Sequence, residues 1–181
     1  MSTSRAQFRS GASRPGIQLQ SWEHPGRYLS RNQAESARFV IDDIVVSQAD
    51  PEQRIEMLRA GFPADIVTEL ASSMRWSRDH TLAVTRVKRS TAMRKIKDKA
   101  RLATDESERI LAVIDLIGQV ERMIERSGNP DDFDAAAWLA DWLESANPSL
   151  GGKHPADYLD TNEGIGIVRR LLAQMESGAY A

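Results

Sequence analysis

The feature that most constrains the fold is an unbroken apolar periodicity in residues 104–127. Its members recur at steps of three and four residues: Ile110, Val113, Ile114, Ile117, Val120 and Ile124. This spacing places side chains on one face of an α-helix, and the Thr104 hydroxyl can cap such a helix at its start. The sequence therefore predicts a long amphipathic helix whose apolar stripe is wide enough to anchor a core.

Shorter helices are predicted on the N-terminal side of the long one. Asp50 as N-cap and Pro51 at the first helical position predict a helix over residues 51–60, and Gly61 ends it. The next helix is predicted from an apolar stripe: Ile66, Val67, Leu70 and Met74. Further upstream, residues 41–46 (IDDIVV) are compatible with either a strand or a helix.

Two helices are predicted on the C-terminal side, beyond a break at residues 127–132, where SGNPDD marks a boundary between two units. The first has one apolar face: Ala135, Trp138, Leu139, Trp142 and Leu143. The last begins after Thr161 as N-cap and ends at Gly178. Its apolar face consists of Ile165, Val168, Leu171, Leu172 and Met175. The chain as a whole is predicted to be all-α, with seven or eight helices and no internal repeat.

Composition excludes several kinds of site. The chain has no cysteine, which removes disulfides, thiolate zinc sites and thiol nucleophiles, and a cytoplasmic location is expected. We expect neither a signal peptide nor a membrane span, because the first residues contain no apolar run and no stretch of eighteen uninterrupted apolar residues follows. The three histidines lack the spacing of zinc ligands, so we expect no metal and no other cofactor. The Gly151-Gly152-Lys153 run is followed by His154 and Pro155, which rejects a phosphate-binding Walker loop in favour of a turn with positive φ.

Charge is sorted along the chain, although the formal net charge is only -2. Residues 86–101 contain eight Lys and Arg against one Asp, and residues 131–163 contain eight Asp and Glu against one Lys. Scattered carboxylates are usually a solvated surface, and they can also steer a basic partner. The basic segment is a candidate for phosphate contacts, whereas DNA should avoid the acidic one.

The basic segment also has the pattern of a helix-turn-helix. Ser77 predicts the cap of one short helix, and Ser90 predicts the start of another that carries the basic residues. Two short helices joined by a tight turn, the second of them basic, are typical of this DNA-binding motif, which also predicts a homodimer on paired half-sites. The predicted DNA-contacting residues are Arg86, Lys88, Arg89, Ser90, Thr91, Arg94 and Lys95.

The order of these units resembles the Xre/MbcA/ParS antitoxins of RES-domain toxin systems. The C-terminal resemblance lies in AAWLADWLESANPSLGGKHPADYLDTNEG, with its Trp-Leu helix, Asn-Pro turn, Gly-Gly-Lys-x-Pro motif and Thr-x-Glu-Gly helix start. Upstream, Thr91 and Arg94 match the family's Thr-x-x-Arg segment, and DESERI resembles its Glu-Ser-x-Arg start. The usual Gly-Val-Ser before the Thr is replaced by Val87, Lys88 and Arg89. The predicted domains are a basic flexible arm (1–38), an Xre-like helix-turn-helix domain (39–127) and a toxin-binding domain (128–181).

The resemblance implies a non-enzymatic antitoxin that occludes a toxin and represses its own operon through operator DNA. The implied toxin is a RES-domain protein that consumes NAD or uses it for ADP-ribosylation. Trp138 is interpreted as core, while Trp142 is open between core and interface. The predicted toxin-binding residues are Trp142, Lys153, Arg169, Glu176, Gly178 and Tyr180. The alternative function is a stand-alone helix-turn-helix regulator, and an enzyme is not supported because no nucleophile–base pair or cofactor motif is present.

Overall fold

Helices account for most of the structure, a computed structural model that describes residues 49–127 and 133–176. The seven α-helices of that part are α1 (Pro51–Ala60), α2 (Ile66–Ser73), α3 (Arg78–Val84), α4 (Arg89–Lys97), α5 (Thr104–Ser127), α6 (Ala135–Leu143) and α7 (Asn162–Glu176). Two 3-10 helices, η1 (Pro148–Leu150) and η2 (Pro155–Tyr158), connect α6 to α7. The all-α prediction is confirmed. The predicted N-terminal arm (1–38), residues 41–46 and the boundary segment 128–132 lie outside the described residues.

Most helix ends follow the predicted local chemistry. Asp50 caps α1 through a reciprocal capping box with Gln53, and Gly61 ends the helix with φ 72°. Ser77 accepts the backbone N–H of His80 at the start of α3, and the Thr161 hydroxyl accepts that of Gly164 at the start of α7. These predictions are confirmed.

Two predicted hydroxyl caps are wrong. Helix α4 begins at Arg89, one residue before Ser90, and no side chain caps it. Helix α5 begins at Thr104 itself, and the carboxylate of Glu106 accepts the preceding N–H of Ala103 at 2.7 Å. A carboxylate at the third position of a helix accepts the N–H of the residue directly before the helix, here Ala103, so α5 starts one residue earlier than a capping Thr104 predicts.

Three successive helices end on a cation in the left-handed conformation: Arg75 after α2, Arg86 after α3 and Lys99 after α4, with φ of 54°, 54° and 50°. In each case the next N–H donates to a carbonyl five residues back, as in a Schellman motif. Holding a side chain there costs about 1 kcal/mol relative to glycine, and part of this is offset because a cation is favoured at a helix C-terminus. The result is three tight turns in a row, which keep α2, α3 and α4 short and close together.

The core is organised around α5, which packs against α1, α6 and α7. The predicted stripe is confirmed from Ile110 to Val120, whose members are at most 2% exposed, while Ile124 near the end of α5 is half-buried. The described helices belong to one compact unit. The predicted domain boundary after residue 127 falls in a segment outside the described residues and stays a prediction.

Ion pairs join the helix-turn-helix region to the C-terminal helices. Asp115 of α5 receives two hydrogen bonds from Arg54 of α1, at 2.8 and 2.7 Å, and one from Arg169 of α7 at 2.7 Å. The Asp115 side chain is only 12% exposed, so this cluster is screened less than a surface pair. Two exposed ion pairs, Arg75–Asp134 at 2.8 Å and Arg86–Asp160 at 3.7 Å, add to it. A hydrogen bond between His80 and Glu144 at 2.9 Å does so as well.

A carboxylate on α2 is expected to make stability depend on pH. Partial burial, with a contribution from Asp65, raises the pKa of Glu69 from 4.5 to about 7, and its Oε2 atom is buried with no hydrogen-bond partner. The pKa of Glu69 is higher in the folded state than in the unfolded state. The contribution of Glu69 to stability is therefore fully present below the ordinary pKa of 4.5, and it is lost as the pH rises through about 7. Glu69→Gln removes the titration.

We therefore expect Glu69→Gln to raise the urea midpoint relative to the parent above neutral pH, and the gain to shrink as the pH falls below neutrality. The matched control is Glu125→Gln, which neutralises an exposed carboxylate on α5. Urea titrations at the two pH extremes measure the difference. An equal effect of Glu69→Gln at both pH values contradicts the prediction.

Candidate DNA-contacting and partner-binding surfaces

The outward face of α4 carries the basic residues that the helix-turn-helix pattern predicts. Ser90, Arg94 and Lys97 follow one another at steps of four and three, and all three are exposed. Ala92, on the opposite face, is fully buried and anchors the helix in the core. Lys88 is exposed just before the first turn, so this end of α4 presents cations and a hydroxyl to solvent.

The turn before α4 has the length that the motif requires. Four residues separate Val84 at the end of α3 from Arg89 at the start of α4. Val87 in this turn is 3% exposed, and its N–H donates to the carbonyl of Leu82 at 3.1 Å. Buried Thr81 and Thr85 donate their hydroxyls to the carbonyls of Ser77 and Thr81, so neither hydroxyl is left without a partner. The turn is therefore fixed by packing as well as by backbone conformation.

Arg86 and Arg89 are exposed but already paired. Arg89 of α4 donates to Asp79 of α3 at 2.6 Å, and this hydrogen bond raises the pKa of Arg89. Arg86 lies 3.7 Å from Asp160, and its carbonyl accepts a hydrogen bond from Arg109. Exposed pairs of this kind contribute little to stability, so a phosphate can replace the carboxylate at low cost. Thr91 is half-buried on the side of α4.

Lys95 occupies a different environment from the other predicted DNA contacts. Its side chain is 17% exposed, and its Nζ lies 2.5 Å from the Oε2 atom of Glu106, which is itself buried. This pair fastens α4 to the first turn of α5. The structure thus gives Lys95 a packing role, and a DNA contact would require the pair to break.

Among the exposed cations that the predicted contacts left out, Lys97 and Arg78 belong to the two helices of the motif. Lys97 lies one turn beyond Arg94 on the same face of α4, and Arg78 is the first residue of α3. The signal for Lys97 was its three-residue spacing from Arg94. Arg78 could have been found from its place directly after the Ser77 cap, since helix N-termini commonly approach phosphates.

We expect Arg94→Ala to weaken binding to a duplex from upstream of its own gene about tenfold and to flatten the salt dependence by roughly one ion equivalent. The reason is that Arg94 is exposed on the outward face of α4. Mobility-shift titrations over a range of salt concentrations measure both quantities. Lys153→Ala, which removes an exposed cation from the C-terminal half, is the control and should change neither. Equal retardation by the Arg94→Ala and parent proteins contradicts the prediction.

The loop between α6 and α7 is built around Asn147. Its side chain accepts the N–H of Ser149 at 2.9 Å, its carbonyl accepts those of Leu150 and Gly152, and its N–H donates to the carbonyl of Lys153. Gly151 and Gly152 have φ of 65° and 84°, so the predicted positive-φ turn is confirmed. The turn leaves the Lys153 side chain exposed.

The two tryptophans of α6 lie at the margin of the core. The interpretation of Trp138 as a core residue is wrong: it is half-buried, as is Trp142, because the inward face of α6 is already filled. That face consists of Ala136, Leu139, Ala140 and Leu143. The indole rings stack on each other, with centroids 6.2 Å apart and planes 9° apart, and Phe133 lies 6.3 Å from the Trp138 ring.

Of the other predicted toxin contacts, two form ion pairs and two lie outside the described residues. Arg169 is half exposed and binds Asp115, and its carbonyl accepts a hydrogen bond from Gln119. Glu176 at the end of α7 pairs with Arg126 of α5 at 3.0 Å. Gly178 and Tyr180 lie outside the described residues.

Two histidines converge on Glu144 at the end of α6. His80 Nε2 lies 2.9 Å from the Glu144 carboxylate, and His154 Nδ1 lies 2.6 Å from its carbonyl oxygen. Within residues 49–127 and 133–176, no group of three or more His, Asp or Glu is placed to hold a metal ion. No helix in the described part of the chain is long and apolar enough to cross a membrane.

The fold and its surfaces define a helix-turn-helix protein with a helical C-terminal binding domain. Residues 53–115 match the antitoxin Xre-like helix-turn-helix domain, and residues 132–178 match the antitoxin Xre/MbcA/ParS C-terminal toxin-binding domain. A relative, the Prs ADP-ribosylating antitoxin of Sphingobium sp. (strain YBL2), is 38% identical over 134 residues, or 74% of this chain and 84% of the relative. The chain belongs to the Xre/MbcA/ParS family of antitoxins.

Proposed function

We propose that this chain neutralises a RES-domain toxin in the cytoplasm, and that it acts as a stoichiometric inhibitor without catalysis of its own. The observation that carries the proposal is the toxin-binding domain matched over residues 132–178, together with a relative whose name mentions ADP-ribosylation. The toxin accordingly consumes NAD or transfers its ADP-ribose to a protein, and the antitoxin occludes its active site. The acidic C-terminal half suits a basic toxin face and favours fast encounter.

The same chain represses its own operon. Support comes from the exposed cations of α4 and from the four-residue turn before it. Phosphate contacts from such a surface position a recognition helix, and a homodimer would present two copies to paired half-sites. The DNA contacts that the structure favours are Lys88, Ser90, Arg94 and Lys97, with Arg86 and Arg89 released from their carboxylates on binding.

Co-expression with the product of the adjacent gene tests the central proposal. We expect the two proteins to co-purify and the antitoxin to restore growth that the toxin alone arrests. Mobility shift with the upstream duplex tests repression separately. If the neighbouring protein neither binds nor is neutralised while the duplex is retarded, the chain is a stand-alone regulator.

The C-terminal tail is expected to supply an inhibitory contact. Deleting residues 178–181 is expected to leave the fold intact, because the apolar stripe of α7 ends at Met175 and Leu172 is its last fully buried member. Growth rescue should be lost while the melting temperature and DNA affinity stay unchanged, since an aromatic plug at Tyr180 can contribute disproportionately to affinity. If the truncated protein restores growth as well as the parent at equal expression, the proposed inhibitory contact at Tyr180 is wrong.

A further inference from the structure

The outward face of α6 carries an alternation of carboxylates and indoles. Asp134, Trp138, Asp141 and Trp142 follow one another at steps of four, three and one, which places them on one side of the helix. Both Asp residues are exposed and both Trp residues are half-buried. The opposite side is filled by alanine and leucine, and the two indoles lie at the margin of the core.

The aromatic rings of this face are held in place before any partner arrives. The Trp138 and Trp142 rings are stacked nearly parallel, and Phe133 extends the surface at its N-terminal end. Phe133 is 38% exposed, and within residues 49–127 and 133–176 only Ile55 is a more exposed large hydrophobic side chain. Rings fixed in this way lose little conformational entropy on binding, which favours their use as an interface anchor.

The carboxylates determine which side chains of a partner this outward face of α6, the patch, can bind. An indole face attracts a cation, and a carboxylate beside it attracts the same cation. An arginine satisfies both at once, because its guanidinium stacks on the ring while its N–H groups donate to Asp141. A lysine can make only one of these contacts well. The patch therefore fits a protein surface that presents arginine.

Other occupants fit less well. Nucleic acid phosphates would meet Asp141 at close range and be repelled, although Asp134 is already paired with Arg75. A second copy of this chain would form an isologous contact, in which the same face meets itself and carboxylate opposes carboxylate. A basic protein partner meets neither obstacle.

We propose that Phe133, Trp138 and Trp142, with Asp141 at their rim, form the surface on which the toxin docks through arginine side chains. This rests on the proposed function, since the patch lies inside the matched toxin-binding domain of residues 132–178. It places the main affinity contact on α6.

Binding of the full-length antitoxin to the purified neighbouring toxin tests the assignment. Trp142→Ala is expected to raise Kd about thirtyfold or more, as for a central interface anchor. Asp141→Arg is expected to raise it about tenfold at low salt, with a smaller effect as salt increases. The matched controls are Ile55→Ala, an exposed apolar side chain on α1, and Glu125→Arg, an exposed charge on α5; each should change Kd by less than about twofold.

Each result decides between distinct conclusions. If the parent protein does not bind the toxin, the proposed function fails. If the parent binds and both α6 variants bind like the controls, the docking surface is wrong while the function stands. If Trp142→Ala lowers the mass of the isolated antitoxin in sedimentation, the patch joins two copies and the partner assignment is overturned. Circular dichroism shows whether Trp142→Ala folds; should it not, Asp141→Arg, an exposed substitution, decides alone.

Discussion

Gly164→Ala is expected to lower the free energy of unfolding by about 2–3 kcal/mol, the upper range for forcing an atom into a packed site. A Cβ at Gly164 would overlap the backbone carbonyl of Tyr158 and lie 3.0 Å from the Thr161 hydroxyl that caps α7. Backbone atoms cannot move aside as the end of a flexible side chain can, so η2 and the start of α7 would have to separate. Urea unfolding monitored by circular dichroism measures the loss.

Gly166→Ala, two residues further along α7, is the matched control. Its Cβ would meet only the Arg170 guanidinium at 3.6 Å, an ordinary contact. Replacing glycine by alanine inside a helix is then expected to stabilise the protein by about 0.5–1 kcal/mol. Opposite signs for the two variants would tie the effect to the Tyr158 contact, whereas equal losses would contradict it. The contact also gives a physical reason for the glycine in the Thr-x-Glu-Gly start of this helix.

Glu106→Ala is expected to cost about 2–3 kcal/mol, somewhat less than breaking a fully buried pair because Lys95 retains some contact with water. The substitution leaves the Lys95 ammonium in a mostly buried position without a partner, and it also removes the acceptor of the Ala103 N–H. Both losses fall at the junction of α4 and α5. We expect the melting temperature to drop. DNA affinity should fall only to the extent that α4 is no longer held in position against α5.

Glu108→Ala provides the comparison, because Glu108 is exposed on the same turn of α5. A surface substitution of this kind should change stability by less than about 0.5 kcal/mol. Thermal and urea unfolding of both variants distinguish a specific ion pair from a general effect of charge at the helix start. If the two variants unfold alike, the Lys95–Glu106 pair contributes nothing measurable.

Local patterns predicted the fold well. The stripe of α5 and the caps at Asp50, Ser77 and Thr161 depend on residues within one turn of each other. Their positions can therefore be predicted from the sequence alone. The wrong caps at Ser90 and Thr104 show that a hydroxyl marks only a possible start: α4 begins at Arg89 without a side-chain cap, and α5 begins at Thr104 with Glu106 accepting the N–H of Ala103.

The candidate surfaces were less predictable, because they depend on which charges meet in space. The eight cations of residues 86–101 look alike in sequence, yet Lys95 is buried against Glu106 eleven positions away and Arg86 meets Asp160 in the C-terminal half. Trp138 illustrates a second limit. Helical spacing identified the apolar side of α6, but it could not show that alanine and leucine alone fill the core there.

Helix α5 also bears on how members of this family can be recombined. The matched helix-turn-helix segment ends at Asp115, midway along α5, and Asp115 contacts both Arg54 on one side and Arg169 on the other. Helix α5 as a whole packs against α1, α6 and α7. The helix-turn-helix segment and the C-terminal segment therefore cannot be exchanged independently between relatives. In a chimera joined within α5, core residues from two different parents would have to pack against each other. A hybrid antitoxin needs a graft that carries the whole helix together with every surface packed against it.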